Sequence, residues 1–215
     1  MTEIEIIKLL SMILALAIAI IGHEIMHGWV AYKYGDPTAK SLGRLSVNPL
    51  VHIDPIGTIL VPAVLYFSGA PFIFGWAKPV PINISTVIRN GGTNAAVAVS
   101  LAGITYNFIL AAICAAIFPL FSHPESMFSA FIAFFLYQSV VINVLLGIFN
   151  LWPIPPLDGA NAVRYLAQGW NLKGFTLIYD KIAPYGMLLL LAVLFTPLSS
   201  YLFQPVGWII KWLMA

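Results

Sequence analysis

Apolar residues along this chain fall in long blocks separated by short polar breaks. Residues 9–21 are apolar except for Ser11, and Trp29, Val30, Ala31 and Tyr32 carry the run onward. The 24 positions from 9 to 32 make roughly 36 Å of helix at about 1.5 Å per residue, enough to cross a ~30 Å hydrocarbon core. A first span is therefore expected over about residues 4–33, stopped by Lys33-Tyr34-Gly35-Asp36-Pro37. Residues 39–49 alternate polar and apolar, the pattern of a short interfacial strand or hairpin. The apolar run over 56–70 is interrupted by Gly57 and Pro62 and closed by Ser68-Gly69-Ala70-Pro71, so it reads as re-entrant or partial. Pro79 and Pro81 make 75–83 extended.

Further apolar stretches run over about 93–120, 128–152 and 173–196, with a short one over 199–214. The fourth ends in Trp152-Pro153-Ile154-Pro155-Pro156-Leu157-Asp158-Gly159, and residues 160–168 read as a short interfacial helix. The expected fold is an all-α polytopic membrane protein of about 5–6 hydrophobic helices. It forms one membrane-embedded domain over 1–215, with an interfacial or re-entrant β or extended segment after the first span.

Composition sharpens this picture. The chain is 60% hydrophobic and 8% charged, with a mean hydropathy of +0.93, against about 25% charged residues in a soluble domain. An integral membrane protein with the lipid bilayer as its surroundings is expected, with no room for a large soluble domain. The net charge of +2 is too small to imply nucleic acid. Cys114 is the single cysteine, which excludes an internal disulfide. Glu3 and Glu5 precede the first apolar run without a basic region, so a cleavable signal peptide is not expected. Lys33, Lys40, Arg44, Lys78 and Arg89 lie between the first and third stretches, and Arg164, Lys173 and Lys181 follow the fourth. Residues 121–126 hold no Lys or Arg, so the basic connections are expected on the cytoplasmic side.

Candidate chemistry sits inside the first span, at His23-Glu24-Ile25-Met26-His27. Histidines four residues apart project from one face of a helix, one turn from each other. Two such imidazoles can share a metal, and Glu24 can serve as base toward a water held there. The five-residue pattern occurs by chance in soluble chains. Within an apolar span, however, a central charge costs at least ~2.5 kcal/mol, so three adjacent ionisable groups imply a function.

A catalytic zinc takes three protein ligands, and His52, Asp54, His123, Asp158 and Asp180 are candidates for the third. His123 falls in the loop on the opposite side, and Asp180 beside Lys181 reads as a paired flanking charge. Asp158 stands out, because it follows a span, precedes Gly159 and is held by a proline-rich turn. The alternative is that Asp158 caps the helix beginning near Ala160. Ligands must also meet at one depth. A full crossing by 56–70 would put three crossings between His27 and Asp158 and leave them on opposite faces. Residues 56–70 should therefore dip and return, or lie in a wet groove.

Taken together these residues resemble the site-2 protease family of intramembrane zinc metalloproteases, in its compact branch without PDZ domains. The resemblance rests on His23 to His27, Gly43-Arg44-Leu45-Ser46-Val47-Asn48-Pro49, His52-Ile53-Asp54-Pro55-Ile56-Gly57-Thr58 and Phe74-Gly75-Trp76-Ala77-Lys78-Pro79-Val80. It continues through Ala102-Gly103 with Asn107, and Asn150 to Gly159. Ile104 stands where the family often has Pro, and Met26 where it favours a small residue. The resemblance implies His23, His27 and Asp158 as ligands of one zinc ion, Glu24 as the water-activating base, and three core spans. Asn150, Pro153 and Pro155 resemble positions that hold the unwound substrate or its oxyanion, and Asn150 is the expected oxyanion donor.

The activity implied is hydrolysis of peptide bonds in or near the transmembrane segment of a single-span membrane protein, as in regulated intramembrane proteolysis. Residues 79–82 or 44–47 would receive the substrate by edge pairing. Asn107 either hydrogen-bonds in the site as a substrate contact or ties two helices together. His52 and Asp54 either support a ligand or stabilise the turn before Pro55. Rival readings are a metal transporter, a catalytically silent scaffold, and an aspartyl protease built on Asp180.

Overall fold

The computed structural model describes residues 2–69 and 75–215. Ala70 and Pro71, expected to close the second apolar run, and Phe74 of the quoted motif lie outside the described residues. Helix α1 spans Glu3–Lys33, and Thr2 and Glu5 close its first turn as a capping box. Its buried face is a ladder at every fourth position: Ser11, Ala15, Ala19, His23, His27 and Ala31. Between helices in lipid no hydrophobic force drives contact, so small residues that admit close backbone approach decide the packing face. The two imidazoles are thus set on the one face of α1 that turns inward.

After α1 comes a single helical turn, α2, over Thr38–Ser41. The described residues hold no strand, so the alternating 39–49 segment is irregular beyond that turn. It lacks a neighbouring strand to bond and is held by local turn bonds and side chains, the Arg44 N–H bonding Ala39 O at 2.9 Å. Arg44 donates to the Lys78 carbonyl (2.8 Å) and the His52 ring lies 2.8 Å from the Ser46 carbonyl. A wide helical turn over Pro55–Leu60 continues into α3, Val61–Phe67. The 13 residues of Pro55–Phe67 make about 20 Å of helix, too short for a straight span.

Helix α4 covers Ile84–Ile117 but breaks at Gly92, whose φ of 71° and ψ of −173° are open to a residue without a Cβ. Its long straight part therefore begins at Thr93. Helix α5 is Met127–Leu151. Helix α4 packs on both α1 and α5. Ala111, Cys114, Leu136, Val140 and Val144 form an apolar core between α4 and α5, closed by Val206.

Beyond the turn at 152–157 come α6 (Asp158–Gly169), α7 (Lys173–Ile182), α8 (Gly186–Leu194) and α9 (Leu198–Leu213). A tight turn at Ala183–Tyr185, containing Pro184, separates α7 from α8. Among the described residues, four segments are long and apolar enough to cross a membrane: Glu3–Lys33, Ile84–Phe121, Met127–Leu151 and Lys173–Leu194. The protein is an all-α integral membrane protein.

Candidate metal centre

Three residues from two elements distant in sequence meet at one point. His23 and His27 come from α1, and Asp158 is the first residue of α6. Asp158 Oδ2 lies 3.0 Å from His23 Nε2 and 3.1 Å from His27 Nε2, and the two Nε2 atoms are 3.0 Å apart. Two long helices, α4 and α5, separate α1 from α6 along the chain.

The hydrogen bonds around this triangle fix where its protons are. The Val99 carbonyl, 2.7 Å from His27 Nδ1, can only accept, so that nitrogen carries the proton and Nε2 presents a lone pair. For His23 the proton position is set by a relay that begins at a backbone carbonyl of α5. Asn143 donates through Nδ2 to Ser139 O (2.8 Å), which turns its Oδ1 toward Asn107. Asn107 donates through Nδ2 to that Oδ1 (2.8 Å) and to Ala19 O (3.3 Å), leaving its own Oδ1 to accept from His23 Nδ1 at 2.7 Å. Both Nε2 atoms therefore present lone pairs toward a carboxylate oxygen. Three electron-rich atoms converging within 3.1 Å with no proton between them suit a divalent cation. Tetrahedral bonds of ~2.0–2.1 Å would separate such ligand atoms by roughly 3.3 Å. The three atoms lie within the spacing of a metal site.

The backbone makes room for this arrangement at two glycines. A Cβ on Gly103 would lie 2.5 Å from His23 Nδ1 and 2.5 Å from His27 Nε2. A Cβ on Gly159 would lie 2.1 Å from the Leu151 carbonyl, so only glycine lets α6 start tightly against the end of α5. The cap of α6 is Leu157 and makes no side-chain cap bond. The Asp158 carboxylate thus faces the imidazoles instead of capping.

Glu24 points into a cavity of about 340 Å³ that His27, Val80, Asp158, Asn161 and Tyr165 also line. Its Oε2 accepts the Val80 backbone N–H at 2.8 Å, which seats the 75–83 segment against the site. The other candidates lie elsewhere. His52 contacts Ser46 O, Asp54 accepts from the N–H groups of Ile56 (3.0 Å) and Gly57 (2.6 Å), and Asp180 pairs with Arg164. Asn107 is 0% exposed and engaged with His23 and two neighbours. Asn150 donates through Nδ2 to Leu146 O (3.0 Å) within its own helix and does not line the cavity. Pro153 and Pro155 belong to the turn that delivers Asp158, and Pro155 packs where a Cβ on Gly186 would fall.

Comparison with known proteins places the chain in a family. The chain is 36% identical over 198 residues to YwhC of Bacillus subtilis (strain 168), a zinc metalloprotease by name, covering 90% of this chain and 84% of that one. The model of Peptidase family M50 matches residues 121–194. The chain belongs to peptidase family M50, the site-2 metalloproteases. Two mycobacterial proteins named as zinc metalloprotease Rip2 are further relatives. That of Mycolicibacterium smegmatis is 28% identical, with 86% of this chain and 67% of the relative covered. That of Mycobacterium tuberculosis H37Rv is 29% identical, with 87% and 68% covered. No solved structure matches the chain significantly.

Four residues at this M50 centre were not singled out from sequence for what they do here. Asn161 and Tyr165 follow Asp158 at i+3 and i+7, a spacing that puts all three on one helix face, and this signal was available. Asn143 and Val80 carried none, because each acts through one long-range hydrogen bond.

Proposed function

We propose that this M50 peptidase hydrolyses peptide bonds in or near the membrane-spanning segment of single-span membrane proteins, using one zinc ion. His23, His27 and Asp158 are its ligands and Glu24 its base. The observation that carries this reading is the convergence of three lone-pair atoms on His23, His27 and Asp158 beside Glu24 at a cavity of about 340 Å³. The name of YwhC supports zinc as the metal. When bound, zinc lowers the pKa of a water it holds from 15.7 toward ~7.

Glu24 takes the proton of the attacking water and passes it to the leaving nitrogen. His23 and His27 hold their lone pairs toward the ion, kept in that tautomer by Asn107 and Val99. The long apolar helices cross the bilayer several times, with the centre near the cytoplasmic end of α1. A substrate helix must unwind there before its carbonyl is reachable.

Residues 75–83 are the edge that would receive it. Trp76 N–H bonds Gly57 O (3.1 Å), Lys78 N–H bonds His52 O (2.9 Å) and Val80 N–H bonds Glu24, so alternate residues face the protein. The N–H and C=O of Ala77 have no partner among the described residues and present the unpaired face of a strand.

The test is Glu24→Gln against a single-span reporter in liposomes. Cleavage should vanish while the metal stays bound. Cleavage at the wild-type rate, or ion flux in place of cleavage, would overturn the reading.

A further inference from the structure

The cavity beside the metal centre is walled by few polar side chains, and most of their donors are engaged. Glu24 and Asp158 are carboxylates and only accept. The Nδ1 proton of His27 goes to Val99 O, and Ser100 Oγ donates to Ala96 O at 2.9 Å. The side-chain donors left in the lining are Asn161 and Tyr165. Both stand on the α6 face that begins at Asp158. Asn161 is about 4.5 Å further along the axis and Tyr165 about 10.5 Å, so Asn161 is the donor within reach of a carbonyl poised beside Asp158. Its side chain is exposed and has no hydrogen-bond partner among the described residues, whereas the Asn150 amide is bonded back to Leu146 O.

We infer that Asn161 is a catalytic residue: its side-chain N–H donates to the scissile carbonyl oxygen and strengthens that bond as negative charge develops there. The inference rests on the proposed proteolytic reading. When water adds to the carbonyl carbon, the C=O π pair moves onto oxygen, and a fixed neutral donor stabilises it without competing for the metal. A neutral amide suits this place. A cationic donor there would repel the ion, and a carboxylate would repel the oxyanion. Placement on the helix that also delivers Asp158 fixes both groups in one rigid frame.

The experiment compares Asn161→Leu, Asn161→Asp and Asn150→Leu in the full chain, reading kcat, KM and zinc content on a single-span reporter that the wild type cleaves. Asn161→Leu should lower kcat by about 10²- to 10³-fold, with KM and zinc content close to wild type, and Asn161→Asp should lose at least as much. As a contact readout independent of turnover, Asn161→Cys in the Glu24→Gln background should form disulfides with reporter cysteines flanking the scissile bond. Buried Cys114 serves as the internal control. Unchanged kcat in Asn161→Leu, loss of zinc together with kcat, or the kcat loss appearing in Asn150→Leu instead would each overturn the inference. So would cross-links scattered along the reporter. Full activity of Glu24→Gln alone would overturn the proteolytic reading itself, whatever Asn161 does.

Discussion

The side-chain oxygen of Asn107 lies 2.7 Å from Nδ1 of His23, 84 residues away in sequence, and both groups are buried. That bond makes Asn107 a positioning residue for an imidazole. An amide has two ends, and the wrong end would present an N–H to a nitrogen that also carries a proton. The Asn143 carbonyl oxygen, itself oriented by Ser139 O, excludes the wrong end.

Removing this relay should loosen the metal before it unfolds the protein. Asn107→Leu is expected to weaken zinc binding by about 10- to 100-fold, and Asn143→Leu to weaken it less in the same direction. Competition with a chromogenic chelator measures both. Affinity at the wild-type level in Asn107→Leu would show that His23 needs no such partner.

Gly103 tests the closeness of α1 and α4. A methyl group there would meet both imidazoles at 2.5 Å, inside the distance that side chains tolerate. Gly103→Ala should therefore strip the metal and abolish proteolysis while leaving the helical circular dichroism unchanged. A variant that purifies with a full complement of zinc would contradict the packing described.

On the proposed reading Asp158 is the ligand that α6 contributes, so Asp158→Asn should lower zinc content measured by mass spectrometry after dialysis. Wild-type zinc after the same dialysis would remove Asp158 from the ligand set.

Asp36 provides a pH-dependent test away from the metal. It is 1% exposed, and its oxygens accept from the Thr38 hydroxyl, the Thr38 N–H (3.0 Å) and the Asn83 N–H (2.6 Å). Burial pushes its pKa up, but these three bonds outweigh it and hold the carboxyl below its ordinary value. A folded pKa below the unfolded one adds stability above the unfolded pKa of ~3.9, lost as pH falls through the folded value. Asp36→Asn should thus cost about 1–3 kcal/mol in detergent at pH 7. The two melting curves should converge below about pH 4. A constant gap across that range would show that the charge is not what the pocket holds.

Much of this protein is written locally in its chain. The long helices were legible because lipid demands a run of apolar residues of a set length. The histidine pair was legible because i and i+4 share a helix face, and α1 continues that spacing in Ser11, Ala15, Ala19 and Ala31. Residues 39–49 misled, since alternation implies a strand only where another strand is present to pair.

What packing alone decided is which distant groups meet. Asp158 reaches the imidazoles because Gly159 lets α6 begin against the Leu151 carbonyl. Asn107 faces His23 because Asn143 denies it the other orientation. Val80 seats on Glu24 through one backbone N–H, and Asn161 stays free where Asn150 is engaged. Periodicity records which way a side chain points along its own helix. It carries nothing about the partner on the far side, which depends on the relative depth and rotation of helices joined by long connections.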